Sequence, residues 1–284
     1  MLLSRTASST DIAVLAQAAC LLEASAPKPG NVSPGRDFED TRYEDFLLSA
    51  AAIGPAFARA QERGVGETVL AAVTDTRRLV RVNTNLGIVL LLAPLACAAG
   101  REGGSLRDRL GAILRSLSVD DARAVHAAIR LVSPGGLGQA DAQDVRDEPT
   151  QTLRETMALA AHRDSIAREY ASDYDRTFRV AVPVLQRSRA AGETWSTAAL
   201  EAFLQVLAQV PDTLIARKQG LPAANAVSAQ AREVLTAGAA GSRARAQATE
   251  SFDQALRRPG HRLNPGTTAD LVAGALFVAM LEES

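Results

Sequence analysis

A lysine held between two prolines is the first feature of this sequence that could do chemistry. Pro27-Lys28-Pro29-Gly30 follows a helix-like stretch that contains Glu23, and an acidic run from Asp37 to Asp40 comes soon after it. Each proline fixes its own φ and biases the preceding residue toward an extended backbone, so Lys28 should lose little backbone entropy on binding an anion. Carboxylates are ligands that hard divalent cations prefer. The segment predicts a stiff loop whose lysine binds an anion, next to an acidic cluster able to hold a divalent metal, with an ordinary surface turn as the alternative.

Two further polar groups stand where apolar helices are predicted to begin. Asn83 and Thr84 precede the most apolar stretch of the chain, where either can cap a helix whose free amides bind an anion. Near the C-terminus, Asn264 and Asp270 flank a Pro-Gly turn and a pair of threonines. A helix cap with its matching charge explains Asp270, but it leaves His261 and Asn264 unexplained. Both groups are therefore candidate ligand contacts.

The densest run of ionisable residues lies in the middle of the chain. Asp147 and Glu148 precede a proline, and His162, Arg163 and Asp164 follow within a predicted helix. Side chains of these types can bind a metal, a phosphate and a ribose together. A charged, solvated helix surface accounts for the same residues, but the apolar helices on both sides favour a site.

The second lysine of the chain stands beside an arginine. Arg217 and Lys218 lie near the end of a short predicted helix that begins at Asp212 and ends at Gly220, where cations complement the helix dipole. Lys28 and Lys218 are the only lysines among 31 basic residues. Because lysine presents a compact point charge, a phosphate clamp is the functional alternative to a dipole-matched helix end.

The elements that must position these residues are helices. Apolar residues recur with helical spacing, alanine favours helix, and no stretch alternates apolar and polar residues with β-branched enrichment. Helical patterns cover residues 11–24, 43–60, 68–80, 86–99, 105–117, 120–132, 152–170, 173–189, 196–208, 223–237, 242–256 and 268–281. Only short breakers separate them. The sequence predicts an all-α fold, with a single domain over residues 1–284 built of about a dozen helices.

The composition limits the classes of function. The 284 residues are 47% hydrophobic and 22% charged, as in ordinary globular proteins, and the formal net charge of -1 argues against nucleic-acid binding. Two cysteines, Cys20 and Cys97, lie apart in apolar stretches, which argues against a disulfide scaffold or a thiolate zinc site. The longest apolar stretch, residues 88–99, is too short to span a membrane, and no signal peptide is evident. We expect a cytoplasmic protein without nucleic-acid or membrane partners; a homo-oligomer is left open.

In their order along the chain, these motifs resemble the triphosphoribosyl-dephospho-CoA synthase family. The matching residues, spread between Glu23 and Leu281, are Pro27–Gly30, Ser49-Ala50, Asn83-Thr84 with Gly87, Asp212-Thr213, and Leu263–Gly266 with Ala269–Leu271. Two motifs depart from the best-known members. Asn31-Val32-Ser33 stands where they carry Leu-Val-Asp, and Asn85-Leu86 stands in place of His-Lys. In these departures the chain is similar to a divergent branch of the family that is found in archaea and methylotrophs.

The resemblance implies a transferase of coenzyme biosynthesis that uses ATP as a substrate. In the family reaction a ribose hydroxyl of dephospho-CoA displaces adenine at the anomeric carbon of ATP, through a transition state that resembles an oxocarbenium ion. Such a reaction needs Mg²⁺ and cations at the triphosphate and a base for the acceptor proton. The implied candidates are Glu23, Lys28, Glu148 and His162 as catalytic residues, Asn83, Thr84, Arg163, Lys218, Asn264 and Asp270 as nucleotide contacts, and Asp40, Asp147 and Asp164 as metal ligands.

Other functions stay open at the level of the sequence. A different coenzyme-assembly transferase, for example for a one-carbon carrier, could use the same phosphate site. A hydrolase could cleave the N-glycosidic bond of a nucleotide, and a non-catalytic helical binding protein is a third class. The leading hypothesis predicts two small-molecule partners, a nucleotide and a coenzyme-like acceptor, and free adenine together with an enlarged acceptor as its products.

Overall fold

Helices account for nearly all the regular structure in the described part of the chain. The computed structural model describes residues 7–132 and 143–283, and within these ranges it contains no β-strand, only an isolated bridge between Ser33 and Arg36. The helices are α1 (Ser9–Ser25), α2 (Tyr43–Ala52), α3 (Gly54–Phe57), α4 (Ala60–Leu79), α5 (Leu86–Ala99), α6 (Leu106–Arg115), α7 (Val119–Val132), α8 (Leu153–Ala160), α9 (Ser165–Ala171), α10 (Val182–Ala190), α11 (Trp195–Gln209), α12 (Thr213–Gln219), α13 (Leu221–Thr236), α14 (Arg243–Leu256) and α15 (Gly266–Glu283). A π-helical turn, Thr177–Ala181, leads into α10, and a 3-10 turn, Pro259–His261, precedes α15. The predicted all-α fold is confirmed.

Two of the predicted helices are broken in the structure. The pattern over residues 43–60 is divided into α2, α3 and the start of α4, and Pro55 lies in the first turn of α3. The pattern over residues 152–170 is divided between α8 and α9. The second break occurs because the carboxylate of Asp164 accepts the N–H groups of the residues two and three positions on, and so caps a new helix.

Reciprocal side-chain caps fix where four of the helices begin. Ser8, Ser105, Ser118 and Thr152 each accept the N–H of the residue three positions on, and the acidic side chain of that residue bonds back to the cap. Each capping box satisfies two of the backbone donors that a helix leaves unpaired at its start. The first helix therefore begins at Ser9, earlier than the apolar pattern alone predicts.

Two helices that are apolar on all sides form the centre of the molecule. Every residue of α5 except Gly87 is buried, and α15 is buried from Thr267 to Ala279 except at Asp270. The two helices pack against each other, α1 packs against α15, and α4 and α6 pack against α5. No single described helix is long and apolar enough to cross a membrane; only α11 and α12 taken together, bent by 54°, reach that length and composition.

A proline inside α5 determines how α9 attaches to the core. Pro94 has no N–H, so the carbonyl of Leu90 loses its usual helical partner. The hydroxyl of Tyr170 donates to this carbonyl at 2.6 Å, and Tyr174 donates to the next one along at 2.9 Å. These two bonds hold the α9 region against α5, whose N-terminal end lies at the functional site described below.

Candidate functional site

One large cavity opens beside the N-terminal ends of the two central helices. Its volume is about 840 Å³, which falls in the usual range for small-molecule sites. Residues from all five polar segments of the sequence line it, namely Glu23, Asn31, Asp40, Asn83, Thr84, Asp144, Arg163, Asp164, Arg217, Lys218, His261, Asn264 and Asp270. The tertiary fold thus brings together groups that are remote in sequence.

Lys28 does not line this cavity. Its side chain is 0% exposed, and its Nζ lies 2.9 Å from Oε1 of Glu23 and also donates to the carbonyls of Glu23 and Ala26. Gly30, with a φ of 74°, donates its N–H to Asp253, which draws the loop onto the protein. The expectation that this lysine binds an anion is therefore corrected. Lys28 neutralises and positions Glu23, which does reach the cavity.

The carboxylate of Asp270 lies close against the first turn of α5. A Cβ atom at Gly87 would lie 2.1 Å from Oδ2 and 2.5 Å from Cγ of Asp270, so any larger residue there would require the Asp270 side chain to move. Burial raises the pKa of Asp270 well above its usual value, neighbouring carboxylates, Glu23 foremost, raise it further, and Arg217 lowers it. A carboxyl group with such a pKa is poised to exchange a proton closer to neutral pH than an ordinary aspartate.

The end of α12 supplies positive charge to the cavity. Nη1 of Arg217 lies 2.5 Å from Oδ2 of Asp164, and Nε of Arg217 is buried with no hydrogen-bond partner in the described ranges. Nζ of Lys218 donates to the carbonyl of His261 at 3.2 Å, and partial burial lowers the pKa of this lysine. Arg163 also lines the cavity. Three cationic side chains therefore share the cavity with the carboxylates.

Three polar side chains near the central helices serve different purposes. Oδ1 of Asn83 accepts the N–H of Leu86 at 3.2 Å, but the N-cap position of α5 is occupied by Asn85, whose side chain makes no cap bond. Oγ1 of Thr84 lies 2.5 Å from Oγ of Ser49, so this hydroxyl is already engaged. Oδ1 of Asn264 is buried without a hydrogen-bond partner in the part of the chain that the structure describes. A buried acceptor in that state is available to a ligand.

Three other predicted site residues are exposed and do not line the cavity. Glu148 is 78% exposed, and its Oε2 lies 3.5 Å from Nε of Arg123. Asp147 is exposed beside it, and the exposed His162 has its Nδ1 3.0 Å from the carbonyl of Leu159. The break between α8 and α9 takes His162 out of the predicted helical face. Their assignment to the site is corrected accordingly.

The carboxylates predicted as metal ligands do not gather. Asp40 is 72% exposed at the cavity rim, with its Oδ1 3.4 Å from Nε2 of His261, whereas Asp164 caps α9 and pairs with Arg217. Asp147 does not line the cavity. Within residues 7–132 and 143–283, no three histidine, cysteine, aspartate or glutamate side chains come together as a resident metal site requires.

Two ring-bearing residues of the cavity were not predicted. His126 on α7 is buried and lines the cavity. Phe38 stacks on His261 with ring centroids 3.7 Å apart. The sequence gives only a weak signal for His126, because a single histidine on an apolar helix face is usually a core residue. Phe38 stands inside the acidic run, where the neighbouring charges conceal it.

The fold and the cavity define an all-α protein with a small-molecule site lined by carboxylates and cations. The chain belongs to the CitG family, since the family model described as "ATP:dephospho-CoA triphosphoribosyl transferase" matches residues 9–284. It is 29% identical over 269 residues to the "Probable 2-(5''-triphosphoribosyl)-3'-dephosphocoenzyme-A synthase" of Pseudomonas syringae pv. syringae, covering 84% of this chain and 89% of that protein. It is 28% identical over 278 residues to the 2-(5''-triphosphoribosyl)-3'-dephosphocoenzyme-A synthase of Klebsiella pneumoniae, covering 92% and 91% of the two chains.

A solved structure shares the fold. The crystal structure of an Archaeoglobus fulgidus protein, proposed to be a triphosphoribosyl-dephospho-CoA synthase, aligns with a TM-score of 0.66 and 28% identity, covering 83% of this chain and 98% of that one. The resemblance drawn from the motifs is confirmed, and the chain is a transferase of this family. The comparisons support neither a different coenzyme-assembly reaction nor a nucleotide hydrolase.

Proposed function

We propose that the cavity binds ATP and dephospho-CoA and transfers the triphosphoribosyl group from one to the other. The observation that carries this proposal is the meeting of Glu23, Asp270 and the cations of α12 in one cavity of a CitG-family chain. In the reaction the bond between the ribose anomeric carbon and adenine breaks. A new bond forms between that carbon and a ribose hydroxyl of the acceptor, and the hydroxyl gives up its proton.

The two innermost carboxyl groups have different surroundings, and we assign them different tasks. The ion pair with Lys28 fixes the position of the Glu23 carboxylate, to which we assign the task of facing the positive sugar that develops as adenine leaves. Asp270 has a raised pKa, and no other described side chain donates a hydrogen bond to its carboxyl group. We assign it as the base for the acceptor hydroxyl, because a carboxylate with a raised pKa takes up a proton more readily than an ordinary aspartate.

The triphosphate requires positive charge, and the cavity provides it. Arg163, Arg217 and Lys218 line the wall, and the first turn of α5 adds backbone N–H groups without helical partners. Fixed cations and amides of this kind stabilise phosphate charge without rearranging during the reaction. We assign to these groups the phosphate-binding role that the sequence predicts for Arg217 and Lys218.

Mg²⁺ fits the site as a companion of the triphosphate. The donors in the cavity are hard carboxylate oxygens, but no three of them converge in the described chain, so the protein alone does not build a closed cage. Mg²⁺ commonly binds through one or two carboxylates together with substrate phosphates. Of the predicted ligands, Asp40 at the cavity rim would contribute a carboxylate, because Asp164 is engaged by the start of α9 and by Arg217, and once bound the ion would neutralise charge on the phosphate oxygens.

The test is product analysis with matched variants. The purified protein is incubated with ATP, Mg²⁺ and dephospho-CoA, and products are separated and weighed by mass spectrometry. We expect free adenine and an acceptor enlarged by one triphosphoribosyl group. Arg163→Gln should raise the KM for ATP about tenfold, the effect of losing one charged contact, whereas Arg168→Gln, an exposed arginine outside the cavity, should not. Adenine accompanied by free ribose triphosphate, or no adenine at all, would contradict the proposal.

A further inference from the structure

The wall that α7 and α8 contribute to the cavity is apolar apart from two residues. Its apolar members include Val125, Ile129 and Met157. Of the two polar residues, Thr156 already donates its hydroxyl to carbonyls within its own helix. His126 is therefore the residue of this wall with polar capacity to offer a ligand.

His126 presents an unpaired ring nitrogen. The residue is 4% exposed, and its Nδ1 is buried with no hydrogen-bond partner in the described chain. A buried polar atom in that state is uncommon in folded proteins and calls for a partner. His126 lines the cavity, so a molecule bound there can contact this residue.

The surroundings decide which kind of hydrogen bond Nδ1 can make. Burial lowers the pKa of His126, so the imidazole is neutral at neutral pH. The main chain of Asp147 hydrogen-bonds the ring and favours its protonated form, as a carbonyl acceptor does. Since Nδ1 has no partner, this bond belongs to Nε2–H, which leaves Nδ1 as an acceptor. The complementary ligand group is an N–H donor carried on a flat apolar body.

Resting on the function proposed above, we infer that His126 accepts a hydrogen bond from the 6-amino group of an adenine ring seated against the α7–α8 wall. The histidine then selects adenine over purines that lack this amino group. Both proposed substrates, ATP and dephospho-CoA, carry an adenine. The experiment therefore has one arm for each.

The arms compare each nucleotide with an analogue in which hydrogen replaces the 6-amino group. These are ATP against purine riboside triphosphate, and dephospho-CoA against its 6-deamino analogue. Binding to the full-length protein is measured by calorimetry, so the result does not depend on turnover. The wild-type protein should prefer the amino form of one nucleotide by about fivefold to tenfold, the effect of one hydrogen bond.

Three variants test whether His126 causes the preference. His126→Leu should reduce the preference to about onefold for that nucleotide and leave the other unchanged. His126→Asn, which keeps an acceptor near the position of Nδ1, should retain it. If the leucine variant does not fold, judged by its melting curve, His126→Phe preserves the ring shape without the acceptor.

The outcomes separate this inference from the proposed function. An unchanged preference in the leucine or phenylalanine variant, or no preference in the wild-type protein for either nucleotide, overturns the role of His126. A His126-dependent preference in a protein that releases no adenine supports the base site and contradicts the proposed reaction. If adenine and the enlarged acceptor are formed but the preference does not depend on His126, the proposed reaction is supported and the role of His126 is contradicted.

Discussion

Asp212 accepts two hydrogen bonds from Thr268, one from its backbone N–H at 2.7 Å and one from its hydroxyl at 2.8 Å. Both reach Oδ2, while Oδ1 of the same carboxylate accepts two N–H groups in the first turn of α12. One buried aspartate therefore caps two helices at once. This bond network fixes the start of α15, which carries Asp270, relative to α12, which carries Arg217. Asp270 and Arg217, two of the charged residues that line the cavity, thus share a common anchor.

Removal of this double cap should cost stability. Asp212→Ala loses the acceptors of both helices, and at about 1 kcal/mol or more for each cap we expect a loss of about 2–4 kcal/mol in the free energy of unfolding. Thr268→Val removes only the hydroxyl bond and should cost about 1 kcal/mol. Urea denaturation measures both values. Ser8→Ala, which removes the cap of α1 away from the cavity, is the control for a single cap; equal losses in all three variants would contradict the double role.

The Glu23–Lys28 pair predicts a stability effect that an exposed lysine would not have. Lys28→Met leaves the buried carboxylate of Glu23 without its partner and should cost about 3–5 kcal/mol. The double variant with Glu23→Gln removes the uncompensated charge and should recover much of the loss. Chemical denaturation of the single and double variants gives the coupling energy.

A matched exposed pair provides the control for this cycle. Arg59 and Glu62 lie 3.0 Å apart with most of both side chains exposed, and Arg59→Met should change stability little. If Lys28→Met were as mild as Arg59→Met, the buried pair would not have the structural role that we assign to it.

The close contact between Gly87 and Asp270 predicts that one methyl group disturbs the site. Gly87→Ala places Cβ 2.1 Å from Oδ2 of Asp270, so the carboxylate must move. A displacement of about 1 Å in a reacting group can lower turnover about 100-fold, which steady-state kinetics would detect. Gly274→Ala is the control, because its Cβ would lie 3.6 Å from the nearest atom, an ordinary contact. Comparable activity of the two alanine variants would mean that Asp270 does not need its present position.

The raised pKa of Asp270 predicts how stability depends on pH. An aspartate whose pKa is higher in the folded than in the unfolded state contributes stability below its unfolded pKa of about 3.9, and this contribution is lost as the pH rises through the folded pKa. Asp270→Asn has no such loss. Relative to the wild-type protein, the variant should therefore become progressively more stable as the pH rises above about 4, the unfolded pKa of an aspartate, as measured by denaturation at several pH values.

Asp108 provides a control of opposite sign. Hydrogen bonds from Ser105 lower the pKa of Asp108 at the start of α6, so its contribution is present above the unfolded pKa and disappears as the pH falls. Asp108→Asn should be less stable than the wild-type protein at pH 7, and the difference should shrink in acid. A parallel pH trend for the two asparagine variants would show that the Asp270 trend does not come from burial of that carboxyl.

The local features of the fold could be read from the sequence. The helical periods predict nearly all the helices, because an apolar stripe with a 3.6-residue repeat must be buried against neighbours. The order of the polar motifs indicates the family, and the short breakers between helices place those motifs at helix ends. Glu23, Asp40, Asp164 and Asp270 are predicted by residue type and do line the cavity.

Only the tertiary structure decided which of these residues face one another. Lys28 turns away from the cavity because Glu23 and two carbonyls hold its ammonium group, contacts that the residue types around it do not reveal. Likewise, the pKa of His126 is lowered chiefly by burial among the packed helices, and a backbone hydrogen bond at Asp147 opposes this shift. Local sequence determines helix boundaries and caps, since those depend on residues three or four apart. The direction of a side chain and its protonation depend on groups that come together only when the helices pack.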